Sequence, residues 1–146
     1  MNHRNQIILS IITALSFIAM CGSLYFSLGL GLAVCDLCWY QRICMYPIWF
    51  ISLIALLTNN KKVHYQVRGL SLIGIIIASY HVYIQFFSGH SPFCRVDNPC
   101  SEIQLQYFGF LTIPVMSLTV FILIFICTFF IKKEIRRYMP ERIKKV

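Results

Sequence analysis

The chain has 146 residues, of which 58% are hydrophobic and only 12% charged, with a formal net charge of +8. Soluble domains carry about a quarter of their residues charged, so the composition excludes a disordered tail, a basic nucleic-acid-binding module and most small soluble enzymes. The bases fall in short clusters between long uncharged runs, and mean hydropathy is +0.71. That pattern is an integral membrane protein.

Four stretches lack Lys, Arg, Asp and Glu: Asn5–Cys35, Ile43–Asn60, Gly69–Cys94 and Ile103–Ile131. Each holds an apolar core of about 18 residues or more, enough to cross a hydrocarbon layer of roughly 30 Å. The predicted spans lie near Ile7–Leu30, Trp39–Leu57, Leu70–Phe87 and Phe110–Ile131. They make an all-α, antiparallel four-helix transmembrane bundle, a single domain over residues 1–146. Many spanning residues are β-branched, but in lipid the need to pair backbone groups within the segment overrides that preference.

The first span has a competing reading as a cleaved signal peptide. Its apolar run exceeds the usual signal core of about 7–15 residues, and no A-x-A site follows. Cys21 lies deep within it and is expected to act as a small buried hydrophobe, as are Cys44 and Cys127 in the second and fourth spans.

Between the first two spans runs Cys35-Asp36-Leu37-Cys38-Trp39-Tyr40-Gln41-Arg42. A Cys-x-x-Cys at a helix N-terminus is chemically useful, because free N–H groups and the positive end of the helix dipole stabilise thiolate, the form that exchanges. With the helix begun by Cys38, Arg42 lies on the same face at i+4 and adds positive charge beside that thiolate. The competing reading is an arginine snorkelling to headgroups. Further along, Pro47 removes a donor and clashes with the carbonyl of Ile43, which predicts a kink below Arg42 that either opens a pocket beneath the cysteines or serves packing alone.

In the third span, His81 is the one imidazole within a helix core. An ionisable residue there is a functional candidate by default, although a neutral histidine bonded to a backbone group or a tyrosine fits the spacing equally well. Gln85 lies one turn on. The loop that follows, Pro92-Phe93-Cys94-Arg95-Val96-Asp97-Asn98-Pro99-Cys100, is irregular by its prolines and Asp-Asn. Its cysteines either close a structural turn or form the exposed, labile disulfide that a thiol-bearing partner attacks. Pro114 suits the first turn of the fourth helix.

Short-loop charge sets orientation. Arg4, Lys61, Lys62, Arg68 and the tail bases Lys132, Lys133, Arg136, Arg137, Arg142, Lys144 and Lys145 lie on one side of a four-span chain, leaving only Arg42 and Arg95 opposite. Both termini are therefore expected in the cytoplasm. Cys35, Cys38, Cys94 and Cys100 then all fall outside it, in the compartment where disulfides persist. A zinc site is the alternative use of these four, but Cys-x5-Cys is an unusual half-site.

These features together resemble the bacterial disulfide bond formation protein B family (DsbB), especially its short BdbC-type members. The most specific element is Cys-x-x-Cys-x-x-x-Arg at Cys35, Cys38 and Arg42, joined to four spans and a second pair between helices three and four. The resemblance implies a membrane thiol–disulfide oxidoreductase with catalytic Cys35, Cys38, Cys94 and Cys100. It would reoxidise a DsbA/BdbD-like thioredoxin-fold thiol oxidase, drawing on the quinone pool of the bacterial cell membrane, with menaquinone rather than ubiquinone as cofactor. By that resemblance the partner's thiolate attacks Cys94–Cys100 at Cys94, and Cys100 passes the electron pair to Cys35–Cys38. Cys38 then faces the quinone, Arg42 binds or polarises it, and His81 lies nearby. No resident metal and no nucleic-acid partner are expected. Two departures are visible: Gln41 stands where a well-known member has an acidic residue, and the second cysteine loop is shorter than in the best-known members.

Rival readings are weaker on the residues. The vitamin K epoxide reductase family places its loop pair before its Cys-x-x-Cys, the reverse of the order here. A transporter usually needs midplane charges or broken helices, and an inert tetraspan scaffold needs no arginine beside a redox motif.

Overall fold

A computed structural model describes the backbone of residues 3–32, 34–58, 60, 63–88, 106–107 and 111–143. Four helices form it: α1 (His3–Leu24), α2 (Asp36–Thr58), α3 (Val63–Tyr83) and α4 (Ile113–Ile143). All four are long and apolar enough to cross a membrane. Each packs on its chain neighbour, and α1 packs back on α4 to close the ring. A two-residue antiparallel pairing of Gln106–Tyr107 (β1) with Leu111–Thr112 (β2) leads into α4.

The helices are apolar on every face, so hydrophobicity alone does not say which face turns inward; alongside large residues such as Leu9, Ile48 and Phe121, the inner face gathers small ones. Buried positions include Ser16, Ser52, Ala55, Ser71, Gly74, Ala78 and Thr128, whereas Ile18, Leu57, Ile76 and Phe130 face outward. Small residues let helix backbones approach where lipid supplies no hydrophobic drive for helices to associate. The closest case is Gly74 of α3, where a methyl group would run into the Phe121 ring of α4. Buried hydroxyls are satisfied locally: Thr13 donates to the Leu9 carbonyl at 2.8 Å and Ser16 to that of Ile12 at 2.7 Å. Ser71 and Thr128 likewise reach three residues back, at 3.0 and 2.6 Å.

Helix ends differ from the sequence expectation where hydropathy is blind to them. Helix α2 begins at Asp36, not Trp39, because Asp36 suits the positive first turn. The third helix starts at Val63, seven residues before the apolar core, since His64, Tyr65, Gln66 and Arg68 continue it as polar turns. Helix α4 begins at Ile113, three residues after Phe110, with Pro114 in its first turn, and its backbone continues to Ile143. Helix α2 runs through Pro47 without interruption. Of the three span cysteines, Cys44 is buried and Cys127 partly so, but Cys21 is exposed on the outer face of α1. Cys21 is thus no core residue.

At one end of the bundle both α1 and α3 widen into a π-helical turn, Tyr25–Gly29 and Ile84–Ser88. Such turns recur at functional sites. Gly31, at φ +64°, then turns the chain toward α2, in a conformation that side chains with a Cβ rarely take.

Candidate active site

The first α2 backbone bond runs from Trp39 N to Cys35 O at 3.2 Å, which makes Cys35 the N-cap residue and Cys38 the third residue of the helix. At the N-cap, a side-chain acceptor meets the free N–H of the third residue, and the Cys38 amide does bond the Cys35 sulfur. The two sulfurs share a hydrogen bond at 2.9 Å. Closing to the roughly 2.05 Å of a disulfide takes under an ångström of motion.

His81, from α3, is 2% exposed. Its Nε2 lies 3.7 Å from Cys35 Sγ, and its Nδ1 lies 3.1 Å from Gln41 Nε2. In that orientation the Gln41 amide donates to Nδ1, which leaves the ring proton on Nε2, facing sulfur. The Cys35 thiol is lowered to about 5. The largest cause is the hydrogen bond shared with Cys38; burial opposes it, and His81 and the Cys38 amide assist. Sequence reasoning looked to Cys38 beside Arg42; in the structure the His81 ring and the Cys38 amide face the sulfur of Cys35.

Arg42 turns toward α1. Its Nε donates to Ser23 Oγ at 2.8 Å and its Nη2 to the Ser23 carbonyl at 2.7 Å, while the guanidinium lies 5.4 Å from the Trp39 ring centre. Two hydrogen bonds thus hold it against α1. At the neighbouring corner, Thr112 donates to Gln85 Oε1 at 2.8 Å, tying the head of α4 to the end of α3.

These groups surround a cavity of about 320 Å³. Its wall is mostly apolar, with Leu15, Ile18, Phe26, Met45 and Val120 from three helices, and Cys35, Cys38, Gln41, Arg42, His81 and Gln85 supply its polar patch. Met45 and Tyr46 put the cavity just beneath the cysteines, where the sequence anticipated a pocket. A few convergent polar groups in an apolar hollow are the ordinary form of a small-molecule site.

The fold therefore brings Cys35, Cys38, Arg42 and His81 together. Cys94 and Cys100 lie outside the described residues. Sequence reasoning missed Ser23, one of many serines in apolar helices. It noted Gln41 only for the charge it lacks, not as the partner of His81. A buried amide beside the motif was the available signal.

The chain matches the family model described as disulfide bond formation protein DsbB over residues 5–131. It is 42% identical over 134 residues to the probable disulfide formation protein C of Halalkalibacterium halodurans, covering 89% of this chain and 95% of that one. It is 43% identical over 122 residues to disulfide bond formation protein C of Bacillus subtilis, covering 82% and 88%. The SPbeta prophage-derived disulfide bond formation protein B of B. subtilis is 45% identical over 112 residues, 76% of each chain. No solved structure matches the chain significantly. A sulfur pair capping a helix in a four-span bundle, matched by the family model along most of its length, makes this chain a multi-pass membrane protein of the DsbB family, a disulfide oxidoreductase of disulfide bond formation.

Proposed function

We propose that the protein is the quinone-dependent oxidase of a DsbA/BdbD-like extracytoplasmic thiol oxidase, in the bacterial cell membrane. Its termini are cytoplasmic, both cysteine pairs lie on the outer side, and menaquinone is its acceptor. One observation carries the reading: the Cys35–Cys38 pair and Arg42 line an apolar cavity inside the bundle, which suits an apolar, lipid-soluble acceptor. A bound quinone supplies a sink for two electrons and two protons.

The residues fit that role. Arg42 keeps two N–H groups on Ser23, and its guanidinium, which lines the cavity, has further donors that suit a carbonyl oxygen there. Positive charge fixed beside a group that becomes anionic on reduction favours that reduction. Cys38 and Cys35 lie side by side on the same wall.

Thiol exchange reaches this pair in balanced steps. A partner thiolate attacks Cys94 of the Cys94–Cys100 disulfide, forming a mixed disulfide and releasing Cys100 as thiolate. The partner's second thiolate resolves the mixed disulfide; the partner leaves oxidised, with Cys94 and Cys100 reduced. Cys100 then attacks Cys35, breaking Cys35–Cys38, and Cys94 closes back on Cys100. Cys35 departs in this last step, and a sulfur stabilised as thiolate leaves readily.

Purified protein should oxidise a reduced thioredoxin-fold partner only when quinone is supplied, faster with a menaquinone than with a ubiquinone analogue. Cys38→Ser should abolish turnover while the protein still inserts in the membrane. Normal turnover by Cys38→Ser refutes the proposal. Labelling of Cys35 only from the cytosolic side refutes the orientation.

A further inference from the structure

The two sulfurs of the motif and a ring nitrogen of His81 all lie within 4.8 Å of one another. The sulfurs are 2.9 Å apart, and Cys35 Sγ is 3.7 Å from Nε2. Tetrahedral zinc, with Zn–S near 2.3 Å and Zn–N near 2.0–2.1 Å, separates its ligand atoms by roughly 3.6–3.8 Å. The spacing of Cys35 Sγ to the imidazole already meets that geometry; parting the sulfurs by about 0.9 Å and bringing Cys38 Sγ, which lies within 4.8 Å of the ring nitrogen, into the same range completes it. This is not the four-cysteine zinc site that the sequence suggested and the spacing disfavoured. Its third ligand comes from α3, from a residue the chain order hides.

Two further features suit a metal. All three ligand residues line the cavity, so a fourth position is open to water or another small ligand, the layout of accessible zinc sites. Metal on Nε2 requires the ring proton on Nδ1, and metal-bound histidines almost always donate that proton to a fixed acceptor. Gln41 is in place at 3.1 Å; rotating its amide by a half-turn presents Oε1 instead of Nε2.

We infer that the reduced Cys35–Cys38 pair, together with His81, binds a borderline-soft divalent cation, zinc above all, and that the metal holds the pair out of turnover. Binding displaces the thiol protons and moves no electrons. Both sulfurs are then committed to the metal, so the disulfide cannot form until it leaves. The oxidised pair has no thiolate to offer, which makes the site redox-gated. None of this depends on the identity of the electron acceptor, so its failure would leave the proposed oxidase activity intact.

The test is a Co²⁺ titration of the full-length chain in detergent, reduced with a phosphine, with Cys94→Ser and Cys100→Ser removing competition from the other pair. One Co²⁺ per chain is expected, with tetrahedral d–d bands and thiolate-to-cobalt charge transfer lost in Cys35→Ser. Gln41→Leu should weaken binding about 10- to 100-fold, and His81→Ala by at least as much. His81→Cys should restore it with stronger charge transfer from a third thiolate. Diamide-oxidised protein should bind nothing. Binding unmoved by His81→Ala, binding retained after oxidation, or a folded His81→Cys chain that fails to bind would each overturn the inference.

Discussion

In the shaft of the bundle, Thr13, Ser16, Ser52, Ser71 and Thr128 each donate to a carbonyl three or four residues back in the same helix. At the site end Ser27 does the same, but three polar pairs reach across: Arg42 of α2 to Ser23 of α1, Gln41 of α2 to His81 of α3, and Thr112 at the head of α4 to Gln85 after α3. A hydroxyl that bonds its own helix leaves its neighbours nothing polar to match, so the shaft is held by shape. A group that bonds across fixes two helices relative to each other and sets the position of whatever it carries. Steric fit therefore governs one region and directed hydrogen bonding the other, and the candidate site lies where the bonds are directed.

Four measurements would break or sharpen that contrast. The largest effect is expected in pH dependence. With its thiol lowered from 9.0 to about 5, Cys35 is thiolate at neutral pH. Its alkylation in the reduced protein should be half-maximal near pH 5 instead of near pH 9, falling only below that point. Cys38→Ala removes the leading cause and should move the midpoint upward; an unmoved midpoint would show that the sulfur pair is not what stabilises the thiolate. Next is Arg42→Leu, which should raise the KM for quinone about 10- to 100-fold, the worth of one or two charge-assisted hydrogen bonds. Ser23→Ala should raise it less, because it loosens the guanidinium without removing it; unchanged quinone kinetics in both would leave Arg42 a headgroup anchor.

The shaft should answer differently. Gly74→Leu forces a side chain into the Phe121 ring and should cost about 1–3 kcal/mol in steric unfolding assays, with the remaining folded molecules turning over normally. Smallest is Ser52→Ala, expected to change stability by under about 1 kcal/mol, because intramembrane hydrogen bonds contribute little net free energy and this one is internal to its helix. A larger loss would mean that shaft hydroxyls also bind across helices.

Much was legible before any coordinates. Length, the uncharged runs and the Cys-x-x-Cys-x-x-x-Arg spacing point to four spans and to Cys35, Cys38 and Arg42, because crossing a bilayer demands about 20 apolar residues and a helix puts i and i+4 on one face. The helices run beyond the apolar cores, because hydropathy registers lipid, whereas Asp36 and His64 extend helices with polar residues. Cys21 shows the same limit, since an apolar helix looks alike from every side.

Only the tertiary structure decided that His81 faces Cys35, what holds Arg42, and that Gln41 and His81 are partners forty residues apart. Sequence periodicity reports relations along a single helix. Ser23, which holds Arg42, and His81, which meets Cys35 and Gln41, belong to helices other than α2, and which of them meet depends on how Gly74, Ser16 and the other small residues let the backbones close.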